Sequence, residues 1–420
     1  MKRTLTSVLL VIALAAVACT RGDPTPHPIT VGAIYPLTGP VAAGGGVDEH
    51  RGVLLAADMV NQQGGVDGRP IDVRSIDVPG SDAAATSVDQ LYRQGIRVVL
   101  GSYGSTIAGP ASAEAASKGM LFWETGAVGM LATGSDLGGL TFRVPPTGEV
   151  LGRAAIAFVA DHVARTLGRD PATLRYAVSF VNDAYGRSVA AGAEAELRAR
   201  GLRDVGDFGY DFHTVDMRRF VHRIAVSKPD VLFVSAYLDD AIALRRQLVA
   251  QDVPLLANIG TSSSYCMPQF GATLGKEAVG VFASDKPSAT SIDPSGLPPD
   301  TRALLERANA AYRARWHTDM SPPALAGFSA AWALFTDVLP KASALTPSAI
   351  AAAARAIDLP KGSLPNGSGL RFGAAGTPNA GDNVEAASVI WKWVSPGHAA
   401  VIWPPAFATA PIDPSQSNAW

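Results

Sequence analysis

The sequence predicts an α/β protein built of two Rossmann-like, doubly wound lobes, each a parallel sheet covered by helices. Three observations lead there. Short apolar runs alternate with helical patterns from residue 30 onward, the order that builds a parallel sheet covered on both faces. The alternation restarts after Pro145-Pro146, so the two halves read as copies of one architecture. The chain has 420 residues, 47% of them apolar, too many for one ordinary domain and enough for two sizeable cores.

In the first half the expected strands are 30–34, 71–77, 97–100 and 120–124. A helix over 47–63 is expected because Val53, Leu54, Ala57 and Val60 recur at helical spacing and Gly64-Gly65 stops the run. A second helix spans 81–94, with Ser81 or Asp82 as its cap and Gly95 past its end, and a third spans 109–118. In the second half, strands at 175–180, 205–210, 231–235 and 254–258 alternate with helices at 148–166, 187–200, 216–227 and 239–250. Gly201 closes the helix before it. A run at 279–283 is followed by three helices, 299–316, 323–339 and 347–356, and a final apolar run, 387–394, closes the fold.

The N-terminus reads as an export signal. Lys2 and Arg3 precede an uncharged stretch, 4–18, whose apolar part is too short for a comfortable membrane span. It ends in small residues before Cys19, and this resembles a bacterial lipobox, with Ala16 where Leu is usual. Lipidation at Cys19 is therefore expected, and the Pro-rich run 20–28 serves as a tether. The second cysteine, Cys266, is expected to be a small buried or loop residue, with no structural disulfide. A net charge of −2 gives no sign of a nucleic-acid partner, whose binders carry a basic face.

Enzyme motifs are missing. There is no GxxxxGK[ST], no HExxH and no GxSxG; Gly101-Ser102-Tyr103-Gly104-Ser105 has the wrong order, and Gly44-Gly45-Gly46 is not GxGxxG. The seven histidines are not clustered as ligands. No enzyme activity, cofactor or metal is expected. In open parallel sheets ligands sit beyond the carboxyl ends of the strands. The loops there (35–40, 77–81, 101–109, 124–130, 181–187, 235–240 and 258–264) are rich in Gly, Ser, Thr and Tyr. That composition suits hydrogen-bonded capture of a small molecule.

Five pieces then occur in order: Tyr35-Pro36-Leu37-Thr38-Gly39-Pro40, Asn61 to Pro70 (NQQGGVDGRP), Gly101 to Ala111, Phe142-Arg143, and Asn182-Asp183-Ala184-Tyr185-Gly186-Arg187. Together they resemble the type I periplasmic binding proteins typified by the leucine/isoleucine/valine-binding protein, which serve branched-chain amino acid-type ABC importers. The resemblance implies two lobes joined by three hinge crossovers, with a ligand in the cleft. Lobe I would be 29–145 and 287–378, lobe II 146–286 and 385–396, and 397–420 a C-terminal tail.

The family's binding positions fall on particular residues. Ser105 matches the serine that holds a ligand carboxylate, with Thr106 and Tyr103 beside it; Gly126, Ala127 and Val128 match the second binding loop. Tyr185 and Tyr237 match tyrosines of the second lobe that cover the ligand. Two departures matter: Val128 replaces a usual Thr, and no acid stands near Gly260-Thr261 to pair with an ammonium group. Asp239, Asp240 or Glu124 would have to substitute, or the ligand is no α-amino acid; amides, ureas, short carboxylic acids and aromatic acids all fit. The implied function is an extracytoplasmic, membrane-anchored, monomeric solute-binding lipoprotein that hands its ligand to separate ABC permease and ATPase subunits. The competing function is a lipid-anchored sensor of the same fold.

Overall fold

A computed structural model describes residues 27–39, 41–129, 131 and 138–413. The expected export signal and Cys19 lie outside the described residues. The first sheet holds β1 (Ile29–Tyr35), β2 (Ile71–Asp77), β3 (Val98–Gly101), β4 (Leu121–Glu124) and β5 (Thr141–Arg143) in the order β2-β1-β3-β4-β5, all parallel. Helices α1 (Val47–Gln62), α2 (Ser81–Arg93) and α3 (Ser105–Ser117) connect its strands.

The second sheet holds β6 (Arg175–Val181), β7 (Arg203–Tyr210), β8 (Val231–Ser235), β9 (Ala257–Thr261), β10 (Phe282–Asp285), β11 (Val389–Ser395) and β12 (His398–Trp403). Their order is β12-β11-β10-β9-β8-β6-β7. Strands β6 to β10 are parallel; β11 and β12 are added antiparallel. Helices α4 (Gly148–Phe158), α5 (Ala184–Arg200), α6 (Met217–Val226), α7 (Leu238–Ala250) and α8 (Pro268–Leu274) belong to this half. Central strands β3, β8 and β9 are buried throughout; β3 and β8 therefore read in the sequence as nearly continuous apolar runs, whereas β9 carries the buried polar Asn258 and Thr261.

After β10 the chain returns to the first sheet through α9 (Pro299–Trp316), α10 (Pro322–Ala333) and α11 (Pro347–Ala356). Gly52 and Gly327 let α1 and α10 touch, because a Cβ on Gly52 would lie 2.1 Å from the Ala324 carbonyl. Trp123 is core: it packs edge-on to Phe372 at 5.4 Å and donates from Nε1 to the Ala330 carbonyl at 2.9 Å.

Where the segments pass between the sheets they are bonded to each other. Arg143 Nε pairs with Asp382 Oδ1 at 2.9 Å. Asn383 Nδ2 donates to the carbonyls of Val144 (3.0 Å) and Gly369 (2.9 Å). Trp391 Nε1 donates to the Lys286 carbonyl at 3.2 Å.

Several boundaries differ from expectation. Helix α3 starts at Ser105 and runs through Pro110, because Ile107 and Ala108 are buried on its inner face. Helix α5 starts at Ala184, capped by Asp183, whose Oδ1 accepts from the Gly186 amide at 2.9 Å. Neither Ser81 nor Asp82 caps α2; the extended Gly80 precedes it. Strand β9 begins three residues later than expected, since Pro254 has no N–H for a ladder and pairing starts at Ala257 opposite Val231. The stretch 397–420, expected as a tail, opens with β12, where Val401 and Ile402 are buried in the sheet.

Candidate functional site

In both sheets the strand order reverses beside the first strand of the half: β1 lies between β2 and β3, and β6 between β7 and β8. A crevice opens beyond the carboxyl ends of the strands at such points. The two crevices face each other, and Tyr103, Gly104, Ser105, Gly126 and Val128 of the first half meet Tyr185, Tyr237, Ser262 and Ser263 of the second around one small space. That space is about 10 Å³, room for a single water. A ligand of amino-acid size requires the halves to separate first.

Ser105 opens α3, and its Oγ accepts a 2.9 Å hydrogen bond from the Gly129 amide. Its hydroxyl proton remains available for a second partner. Tyr103 precedes it with φ of 68°, and its hydroxyl donates to Ser263 Oγ at 3.1 Å across the cleft. Across the space, Tyr185 donates to the Ser262 carbonyl. Tyr237 donates to Asp183 Oδ2 at 2.7 Å. The Tyr185 and Tyr237 rings lie 5.4 Å apart, tilted by 39°. Burial pushes all three phenols above their ordinary range, so they stay hydroxyl donors.

Six of the ten expected site residues line this space and four lie elsewhere. Tyr103, Ser105, Gly126, Val128, Tyr185 and Tyr237 line the space. Thr106 is half-buried in the first turn of α3 and does not line it. Ala127 turns the other way and packs with Ala108 and Leu131. Asp239 is exposed, because α7 starts at Leu238 and puts it on the outer side of the first turn. Its neighbour Asp240 is the buried one, taking a hydrogen bond from the Tyr210 hydroxyl.

Glu124 is fully buried but is not free to meet a ligand. Its Oε1 accepts from the amides of Ser102 (2.8 Å), Gly126 (2.8 Å) and Ala127 (2.7 Å), and Ser102 Oγ donates to its Oε2 at 3.2 Å. It ties the loop at Ser102 to the loop at Gly126-Ala127 from below. Burial pushes its carboxyl up, opposed by those amide bonds.

Ser262 and Ser263 follow β9 inside the 258–264 loop expected at the cleft, yet neither stands among the expected site residues. Glu49 of α1 was also missed. It is fully buried and lies under Gly126, where a Cβ would come within 1.7 Å of its Oε2. A lone Glu in a helical run carries no signal of such placement; the glycine at 126 is its only trace. Cys266 is buried and donates to Asp285 Oδ2 at 2.7 Å. Among the described residues, no cluster of side chains has the makings of a metal site.

A family model described as periplasmic binding protein matches residues 28–405. Among curated relatives, the Leu/Ile/Val-binding protein homolog 8 of Brucella suis biovar 1 (strain 1330) is 29% identical over 376 residues, 89% of this chain and 90% of the relative. An extracellular ligand-binding receptor from Rhodopseudomonas palustris HaA2 superposes with a TM-score of 0.74 at 18% identity, covering 89% of this chain and 99% of its own. A solute-binding protein of an ABC transporter from R. palustris, in complex with benzoate, superposes at 0.71 with 18% identity, covering 92% and 98%.

Proposed function

The chain belongs to the periplasmic binding protein family, and from that premise we propose that it is the solute-binding component of a branched-chain amino acid-type ABC importer, tethered outside the cytoplasm through a lipid on Cys19. Its activity is capture of a small molecule between the two lobes, and its partners are separate permease and ATPase subunits. The curated relatives named for Leu/Ile/Val binding support the transporter class.

One observation carries the ligand class. The residues around the interlobe space offer hydroxyl donors, amides at the start of α3 and aromatic faces. Ser105 and those amides suit a carboxylate; Tyr185 and Tyr237 suit a flat or apolar body. Glu124 has both oxygens bonded already, Asp183 is taken up by the Tyr237 hydroxyl and the Gly186 amide, and burial favours the neutral form of Glu49 beneath Gly126. An ammonium brought into this space would be desolvated without a counter-charge, at a cost of several kcal/mol. The ligand is therefore a small carboxylate that lacks an α-ammonium group. The R. palustris neighbour that holds benzoate supports the same class.

A thermal-shift screen tests this with benzoate and other aromatic carboxylates, short aliphatic carboxylates, amides, and leucine, isoleucine and valine. A true ligand at 100 times its dissociation constant adds about 2.7 kcal/mol of stability. Carboxylates without an amino group are expected to give the largest shifts. Leucine, isoleucine or valine binding more tightly than every such carboxylate would overturn the ligand class.

A further inference from the structure

Glu49 sits under both first-lobe binding loops. Its Oε1 accepts a 2.6 Å hydrogen bond from Thr125 Oγ1, and the same Thr125 shares a 2.6 Å bond with the Tyr35 hydroxyl. The Tyr103 backbone lies close enough to favour the charged form of this carboxyl. Its Oε2 is buried and has no hydrogen-bond partner. That oxygen lies where a Cβ on residue 126 would point, and Gly126 lines the interlobe space. From the crossover after β10, the buried Lys286 reaches the Gly126 carbonyl at 3.3 Å while lying 3.8 Å from Asp285 Oδ1.

We propose that Glu49 is a positioning and specificity-determining residue of this site: it holds the Tyr103 and Gly126 loops from beneath, and its carboxyl has to stay neutral for the site to accept an anion. This rests on the carboxylate class proposed above. Burial, then the neighbouring charge of Glu124, push the Glu49 carboxyl up to about 8; Lys286, the bond from Thr125 and the Tyr103 backbone pull the other way. The groups around it are Glu124 and Thr125 from β4 and its end, Tyr35 from β1, Tyr103 before α3, Lys286 with Asp285 from the crossover, and Gly327 of α10. On its own helix, Asp48 turns to Ser321 and Arg51, and His50 to Ser75.

A neutral carboxyl tolerates an unpartnered buried oxygen far better than a carboxylate does. Once the proton leaves, a negative charge stands under the Gly126 loop and opposes a ligand carboxylate. Ligand and proton binding are then linked with the same sign: the anion favours the protonated form.

The experiment measures benzoate affinity by calorimetry at pH 7.0 and pH 9.5 in the wild type and in Glu49→Gln, whose amide stays neutral. The wild type is expected to weaken about tenfold, as for a like charge appearing a few ångströms away in a partly buried site. Glu49→Gln is expected to change no more than about twofold. Equal weakening in both overturns the proposal. Urea denaturation without ligand at pH 5, 6.5 and 8 decides it independently. The wild type is expected to lose stability relative to Glu49→Gln as pH rises, because its folded state keeps a proton that the unfolded chain has released. Parallel stability curves overturn the inference; absence of carboxylate binding with diverging curves counts instead against the proposed ligand class. If Glu49→Gln does not fold, infrared difference spectra of the wild type between pH 7 and 9.5 take its place. Loss of a protonated-carboxyl band across that step supports the proposal, and no change overturns it.

Discussion

Tyr103 and Ser263 meet across the cleft, the tyrosine hydroxyl donating to the serine oxygen at 3.1 Å. Both residues hold left-handed backbone conformations, φ 68° and 67°, which cost on the order of 1 kcal/mol each for side chains of this kind. Strain on both sides of one contact marks the place where the halves are fitted to each other. Tyr103→Phe removes the hydrogen bond and keeps the ring. A net hydrogen bond contributes about 0.5–1.5 kcal/mol, so the ratio of closed to open molecules is expected to fall roughly two- to tenfold. Small-angle scattering of the apo protein reads this as a larger radius of gyration. A curve identical to the wild type would show that the contact does not hold the halves together.

Ser105→Ala removes a hydroxyl that accepts from the Gly129 amide and is placed to donate to a ligand. Losing a hydrogen bond to a charged group costs about 1.5–3 kcal/mol. Affinity for the best carboxylate in the screen is expected to fall roughly 10- to 150-fold. Titration calorimetry checks this, and a loss under twofold would remove Ser105 from the binding machinery.

Gly126→Ala puts a methyl group where the Glu49 carboxyl sits, with 1.7 Å between the new Cβ and Oε2. Glu49 is fully buried and cannot swing into solvent. Overpacking of this kind costs about 1–3 kcal/mol. The melting temperature is expected to drop, and the added loss in Gly126→Ala on a Glu49→Ala background is expected to be much smaller. Additive losses in the double variant would show that the glycine serves another purpose.

The sequence made the order of elements and the cleft loops readable, because strands buried on both faces appear as short apolar runs between helical patterns. It also placed Ser105, Tyr185 and Tyr237, which belong to short recognisable loops. What it hid depends on three-dimensional register. Ser262 and Ser263 lie in an expected cleft loop, but two serines in a polar turn carry no mark that they face the space. One residue along α7 separates exposed Asp239 from buried Asp240. Glu124 stands at a strand end as a ligand contact would, yet its Oε1 is taken up by amides only two and three residues onward and its Oε2 by the Ser102 hydroxyl. Glu49 reaches the site from a helix whose apolar pattern concerns only the core.

Asp240 gives a pH dependence with a definite sign. Burial pushes its carboxyl up to about 7, against the bond from Tyr210. Its folded value is raised, so the stability it contributes is complete below the unfolded value near 3.8 and is lost as pH rises toward about 7. Across that window each pH unit changes stability by about 1.4 kcal/mol for one proton. Relative to the wild type, Asp240→Asn is expected to gain stability between pH 4.5 and 7 and to level off above. Urea titrations at pH 4.5, 6 and 8 measure it. A constant difference at all three would show that Asp240 is ionised throughout.

Arg143 joins the segment at Asp382 to the loop after β4. Its Nη1 donates to the carbonyls of Val128 (2.9 Å) and Gly129, while its Nε pairs with Asp382 at 2.9 Å. Breaking a buried ion pair by removing one partner costs about 3–5 kcal/mol. Arg143→Met is therefore expected to lower stability by that order and to weaken ligand binding, since Val128 lines the interlobe space. Arg143→Lys keeps the charge without the fork that serves both partners, so it is expected to recover only part of either loss. Asp382→Asn separates the two roles: it disturbs the ion pair but leaves the bonds to Val128 and Gly129 in place. It should cost stability while weakening binding less than Arg143→Met does. Equal losses of affinity in both variants would mean that Arg143 acts on the ligand through the segment at Asp382 and not through the loop it holds.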